Sequence, residues 1–241
     1  MLGEAVHSFN VSIMVISLTF WELIRHVARY FLENKKFSSE ITQELSIACS
    51  GTVHAVLVCS FSAFVIAIET KPECLYSKIE LSQVIFAISS GYFIWDLMIV
   101  LFITRFDLAF FLHAFACLLC YVFGQYPFLN YWGLYFLMFE LSTPFLHMRR
   151  AMILTKNTNS KWFPIVENTF GLTFIFVRLL VGIPLSVLVW VDLIYLLEQP
   201  QKIHSYLVVY FYLIANFGLC LLNLIWFWQM TRKKTRLSKI E

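Results

Sequence analysis

Five ionisable side chains stand inside otherwise apolar stretches of this sequence, and their types permit acid–base and nucleophilic chemistry. An imidazole can act as a nucleophile or general base when a neighbouring acid sets its tautomer. An arginine guanidinium suits a phosphate or a carboxylate, because its planar fork matches either group. The five residues are His54, Asp96, His113, Glu140 and Arg178.

We predict that His113, Asp96 and His54 are catalytic. Either Asp96 or Glu140 could orient His113 through one ring nitrogen, and the sequence leaves that choice open. Arg178 and Glu140 are predicted to bind the substrate, and Arg178 is predicted to hold its head group. Residues three or four apart share a helix face, so three further polar residues near the acids are also predicted to bind substrate: Tyr92, Thr143 and His147.

The composition is that of an integral membrane protein. The chain is 60% hydrophobic and 14% charged, whereas soluble domains are about 45–50% apolar and about 25% charged. Its mean hydropathy is +0.75. The net charge of +3 is small and comes from the loops, so nucleic acid is not an expected partner. No basic segment precedes the apolar run from Phe9, which predicts a first span rather than a cleaved signal peptide.

Seven stretches are apolar enough to predict transmembrane helices, and the predicted fold is therefore all-α. Pro184 predicts a kink in the sixth span. We divide the chain into a first helix and cytosolic loop (1–44), a main domain (45–230) and a basic cytosolic tail (231–241). The predicted spans are 9–24, 45–68, 79–103, 106–123, 128–146, 170–196 and 206–229.

The basic residues predict the orientation of these spans. Of the 18 lysines and arginines, 14 fall on one side of the predicted membrane and three on the other, with Arg178 inside a span. Cytosolic loops carry the excess of positive charge. The amino terminus is thus expected to be lumenal and the carboxyl terminus cytosolic.

The five ionisable residues come from five predicted spans but share one depth. At 1.5 Å per residue, all lie roughly 9–14 Å below the cytosolic boundary. Each charge at mid-membrane costs about 2.5–3.5 kcal/mol. We therefore predict that these five residues share a polar region inside the helix bundle, which opens to the cytosolic side. Each residue alone could instead be structural, because polar side chains also join membrane helices through hydrogen bonds.

Four blocks of sequence make a recognisable pattern: His54, Ser90-Gly-Tyr-Phe-Ile-Trp-Asp96, Leu112-His113, and Glu140-Leu-Ser-Thr-Pro-Phe-Leu-His-Met-Arg149. With these blocks the chain resembles the TLC domain family from about 45 to 229, and most of all its small TLC domain-containing proteins. The resemblance implies that six of the seven helices form a barrel around a lipid-sized cavity. It also implies an endoplasmic reticulum or related membrane, membrane lipids as partners and acyl-CoA as a substrate rather than a cofactor.

In the ceramide synthases of this family, a pair of histidines carries acyl transfer. His113 matches the first of the pair, and Ala114 stands at the second. The resemblance therefore implies either an acyl-CoA-dependent acyltransferase that uses His113 or a non-catalytic lipid-binding regulator of membrane composition or cargo export. No metal site or cofactor is predicted, and a homo-oligomer is compatible with the sequence.

Two other classes fit less well. A seven-helix receptor would share the topology, but the third span ends in Ile103-Thr-Arg-Phe-Asp107 without an acid–Arg–Tyr motif. An ion-coupled transporter could use the buried acids and histidines as a proton relay, but no pair of broken helices is evident. The cysteines, including Cys117 and Cys120, are expected to pack as small apolar residues.

Overall fold

The computed structural model describes residues 2–35, 37–70 and 74–237, which form helices joined by turns, with no strand among them. The chain divides into two compact units, the first ending at Phe174 and the second beginning at Ile175. The all-α prediction is thus confirmed for the described residues. The helices of the first unit are α1 (Leu2–Glu33), α2 (Ser39–Ile68), α3 (Glu80–Phe102), α4 (Leu108–Phe123), α5 (Asn130–Leu137), α6 (Thr143–Leu154) and α7 (Phe163–Phe174). Those of the second are α8 (Gly182–Leu197) and α9 (Tyr206–Leu237).

Several of these helices can cross a membrane, which agrees with the integral membrane prediction. α4, which corresponds to the predicted fourth span, is apolar but shorter. By length and composition, the described residues contain five candidate spans: Asn10–Glu33, Ser39–Ile68, Glu80–Phe102, Phe163–Leu197 and Tyr206–Arg232.

The predicted fifth span, 128–146, is not one regular α-helix. α5 ends at Leu137, a 3₁₀ segment covers Met138–Ser142, and α6 begins at Thr143 with Pro144 in its first turn. Proline lacks an N–H, and its ring presses on the carbonyl four residues earlier, which is that of Glu140. The tighter 3₁₀ winding is a common response to such a conflict. Glu140 therefore lies where the helix changes its winding.

α1 packs closely on α3 because Gly91 has no side chain. A Cβ at this position would overlap the carbonyl oxygen of Met14 and would lie 2.7 Å from Ser17 Cβ. Across the same contact, Ser17 Oγ donates a hydrogen bond of 2.7 Å to the carbonyl of Ile88.

A second contact joins α1 to α3 further along both helices. The indole Nε1 of Trp95 donates to Glu22 Oε2 at 2.9 Å. Glu22 is also paired with Arg25 within α1, at 2.5 and 2.8 Å. The Glu22 carboxylate therefore has two partners on its own helix, Arg25 and His26, and one on α3.

The second unit contains a helical irregularity just before Pro184, where the sequence predicts a kink. A π-helical segment, Ile175–Val181, directly precedes α8. Pro184 has no N–H to bond the carbonyl of Leu180, and a widened π-helical turn is one way for a helix to absorb that loss. Between α8 and α9, Cys220 Sγ donates to Ser186 Oγ at 3.2 Å.

Gly91→Ala should lower the free energy of unfolding by about 1–3 kcal/mol, the usual cost of overpacking, because the new methyl group meets the backbone of α1. Gly171→Ala is the matched control, since nothing lies within 4 Å of its Cβ position. That control should be neutral or slightly stabilising, because alanine favours helix more than glycine does. Unfolding in detergent micelles would measure both, and equal stabilities would contradict the close contact.

Candidate functional site

Glu140 is the centre of a cluster of polar side chains in the first unit. It is only 9% exposed, and its Oε2 accepts a hydrogen bond of 2.7 Å from Thr143 Oγ1. It also interacts electrostatically with four neighbours on α2, α3 and α6: His54, Tyr92, Asp96 and His147. We call Glu140 and these four residues the polar layer.

His54 is fully buried among aromatic rings. Its imidazole stacks on the Tyr92 ring, with 3.6 Å between centroids and 4° between planes. The rings of Trp21 and Phe93 stand at 88° and 76° to it. Neither Nδ1 nor Nε2 of His54 has a hydrogen-bond partner. An unpaired buried polar group costs about 1–3 kcal/mol, and here the ring packing and the electrostatic interaction with Glu140 offset that cost.

Hydrogen bonding decides which nitrogen of neutral His147 carries the proton. Thr52 Oγ1 donates to the Ala48 carbonyl at 2.8 Å, so it can only accept from His147 Nδ1, which lies 3.0 Å away. Nε2 is then the hydrogen-bond acceptor of this ring. Gly51 makes room for it, because a Cβ there would lie 2.5 Å from His147 Cε1 and 3.1 Å from the Tyr92 hydroxyl.

The two acids of the polar layer lie within electrostatic reach of each other. Asp96 is half-buried on α3 and interacts with Glu140 and Tyr92. Like charges repel more strongly in an apolar interior than in water. A proton or a hydrogen-bond donor placed between the two carboxyl groups would lower that energy. The layer is thus suited to holding the hydrogen-bonding end of a ligand.

His113 is half-buried on α4. Its ring nitrogens lie 3.8 and 3.9 Å from Cys117 Sγ, one helical turn away. The Phe93 ring centroid is 6.1 Å from that of His113 and 5.8 Å from that of His54. Phe93 therefore contacts both of the histidines that the sequence assigns to catalysis.

Arg178 belongs to the second unit, in its π-helical segment, and is 8% exposed. Its Nη1 donates to Asn223 Oδ1 at 3.2 Å, and its guanidinium lies 5.9 Å from the centroid of the Trp226 ring. The sequence predicted Arg178 but neither of these neighbours on α9. An asparagine inside an apolar span was the available signal for Asn223.

Sequence reasoning also missed the contribution of α1. Trp21 is fully buried and contacts the rings of both His54 and Tyr92. From sequence alone, a buried tryptophan in an apolar run cannot be distinguished from one that faces lipid. One signal was present in the sequence: Glu22 and Arg25 lie three residues apart next to that run. Such a pair indicates that this face of α1 is polar and packs against another helix.

Among the residues that the structure describes, no group of three or more His, Cys, Asp or Glu side chains could hold a metal ion.

Apolar helices long enough to cross a membrane, together with a cluster of mostly buried polar groups, define a multi-span membrane protein with a polar cluster in its interior. More specifically, the chain belongs to the TLC domain family, whose sequence model matches residues 44–232. This confirms the resemblance on which the sequence-based expectations rest.

Three similar proteins come from Schizosaccharomyces pombe and Saccharomyces cerevisiae. An uncharacterised TLC domain-containing protein of Schizosaccharomyces pombe is 27% identical over 226 residues, which cover 90% of this chain and 76% of that protein. Topoisomerase I damage affected protein 4 of Saccharomyces cerevisiae is 25% identical over 252 residues, covering 97% and 89%. An uncharacterised TLC domain-containing protein of the same yeast is 27% identical over 215 residues, covering 85% and 67%.

Thr143→Val should lower the free energy of unfolding by about 1–3 kcal/mol, because it removes a buried hydrogen bond to a carboxylate and keeps the side-chain shape. Thr173→Val is the matched control, since the Thr173 hydroxyl bonds only carbonyls of its own helix, at 2.7 and 3.1 Å. Unfolding of both variants in detergent micelles would measure the difference. A loss no larger than that of the control would contradict the role given to Thr143.

Proposed function

We propose that this protein binds an acyl lipid or acyl-CoA among its membrane helices and transfers the acyl group to an acceptor. The observation that carries the proposal is the polar layer around Glu140. A charge inside the membrane costs about 2.5–3.5 kcal/mol on insertion scales. Helices that bring two acids and two histidines together at this cost are best explained by a ligand that uses them.

The proposed arrangement in the membrane follows the distribution of basic residues. Seven crossings, six of them forming a barrel around the acyl chain, would put the amino terminus in the lumen and the carboxyl terminus in the cytosol. We place the protein in the endoplasmic reticulum or a related membrane, as its family suggests. A polar layer that opens to the cytosolic side suits acyl-CoA, whose head group stays in water.

His113 is the proposed nucleophile. One of its ring nitrogens attacks the thioester carbonyl of acyl-CoA, the carbon–sulfur bond breaks, and CoA leaves as the thiol with the proton from the imidazole. A hydroxyl or amine of the acceptor then attacks the acyl-imidazole and restores the neutral ring. His113 is half-buried beside Phe93, which supports this role because a nucleophile inside the bundle must still be reached by its substrate.

The remaining members of the site have supporting roles in this proposal. Asp96 and His54 assist proton transfer from the acceptor. Arg178, with Asn223, would bind a phosphate or carboxylate of the head group. The other proposed contacts to the polar end of the ligand come from Tyr92, Glu140, Thr143 and His147.

Intact mass spectrometry of the detergent-purified protein with long-chain acyl-CoA tests the covalent step. Wild-type protein should gain the mass of one acyl group, and His113→Ala should not. Proteolysis and fragmentation should locate the adduct on the peptide that contains His113. An adduct of equal amount in both proteins would refute His113 as the nucleophile.

His113→Ala, Asp96→Asn and His54→Ala should each lower acyl transfer by about 100-fold or more, in line with the usual contribution of acid–base groups. Their helical circular dichroism and elution from gel filtration should match the wild type. Full activity of all three variants in a lipid assay would contradict the catalytic assignment.

A second candidate is a non-catalytic lipid-binding regulator of membrane composition or cargo export. Ala114, at the position of the second histidine of the ceramide synthase pair, favours it. Lipid profiles of a deletion strain, complemented with wild type or with His113→Ala, separate the two candidates. Full rescue by the variant would show that imidazole chemistry is dispensable, whereas failure of a stable variant to rescue would favour the transferase.

A further inference from the structure

The aromatic enclosure of His54 leaves its hydrogen-bonding capacity unused. A neutral imidazole offers one N–H donor and one acceptor nitrogen, and both nitrogens of His54 are buried without a partner. No ligand atom can reach them while the surrounding rings stay in place. If His54 is to bind anything, one wall of the enclosure has to move.

Two of the three walls belong to α3 and one belongs to α1. Tyr92 and Phe93 lie on α3, where 61% of the most apolar stretch is buried inside the protein. Trp21 lies on α1, where the corresponding share is 17%. α1 is thus the wall that can separate with the smaller loss of packing. It also precedes residues 44–232, which the TLC domain model matches.

Several polar side chains of α1 have partners within the same helix. Trp21 Nε1 donates to Ser17 Oγ at 2.7 Å, and Glu22 is paired with Arg25. These pairs would move together with the helix. Separation from α3 would break the bond from Ser17 Oγ to the Ile88 carbonyl, and separation from α2 would break the bond of 3.0 Å from Ser50 Oγ to the Trp21 carbonyl.

The other side-chain bond from α1 to α3 is the one between Trp95 and Glu22. Its acceptor carries a charge, which makes it the stronger kind of hydrogen bond. Its acceptor, Glu22, directly follows Trp21, whose ring covers His54. This bond is therefore placed to hold the cover in position.

We propose that α1 is a gate that moves away from α3 and so uncovers His54. The uncovered imidazole would bind a ligand group that both donates and accepts hydrogen bonds, such as a hydroxyl. The Trp95–Glu22 hydrogen bond holds the gate closed. A ligand that bonds His54 only in the open form shifts the population towards that form. The gate does not depend on acyl transfer and would serve a transferase and a binding protein equally.

The test measures how fast diethyl pyrocarbonate modifies His54 in the full-length protein in lipid nanodiscs, by peptide mass spectrometry and without added lipid substrate. Wild-type His54 should react far more slowly than His26, whose side chain is 61% exposed. Trp95→Phe keeps an aromatic side chain and removes the hydrogen bond, so it should raise the rate at His54 about three- to tenfold. Gly91→Ala, which forces α1 and α3 apart, should do the same.

Two controls separate gating from general loosening. Gly171→Ala should leave the rate at His54 unchanged. His147, which is held by Thr52 rather than by α1, should keep its wild-type rate in every variant. The proposal fails if wild-type His54 reacts as fast as His26, if Trp95→Phe leaves His54 unchanged, or if His147 accelerates together with His54. Because no acyl transfer is measured, each result stands whatever the fate of the proposed function.

Discussion

The cost of burying polar groups in an apolar interior shapes the first unit of this protein. Glu140 is nearly enclosed, and the Thr143 hydroxyl offsets part of this cost, whereas the second acid, Asp96 on α3, adds to it. His54 bears a similar burial cost, but no hydrogen bond offsets it, since neither ring nitrogen has a hydrogen-bond partner. The fold thus provides a hydrogen bond to the Glu140 carboxyl but none to the His54 imidazole.

Irregular winding and small residues give the side chains of the site their positions. Pro144 lies just after the 3₁₀ segment that carries Glu140. Gly51, which has no side chain, leaves room for the ring of His147 to pack against α2. In the second unit, a π-helical segment carries Arg178. Departures from regular helix often occur at functional sites. Here they occur in the segments that hold two of the five ionisable residues.

Much of the fold could be predicted because hydropathy over 20 residues is a strong local signal. The candidate spans around α1, α2, α3 and α9 agree with the predicted ones to within several residues at most ends. The fifth predicted span was less regular than expected, since Pro144 acts on a hydrogen-bonding pattern that hydropathy does not describe. The catalytic and substrate-binding roles remain predictions, although five of the other assigned residues interact with Glu140.

By itself, the sequence determined a helical membrane protein of the TLC domain family and the set of polar residues that its helices must bury. Those conclusions depend on composition and local pattern, which every folded form of the chain shares. Only the tertiary structure decided that Trp21 of α1 covers His54, that Thr52 orients His147 and that Phe93 contacts both catalytic candidates. Such contacts join residues distant in sequence, and they depend on how the helices pack rather than on any one helix.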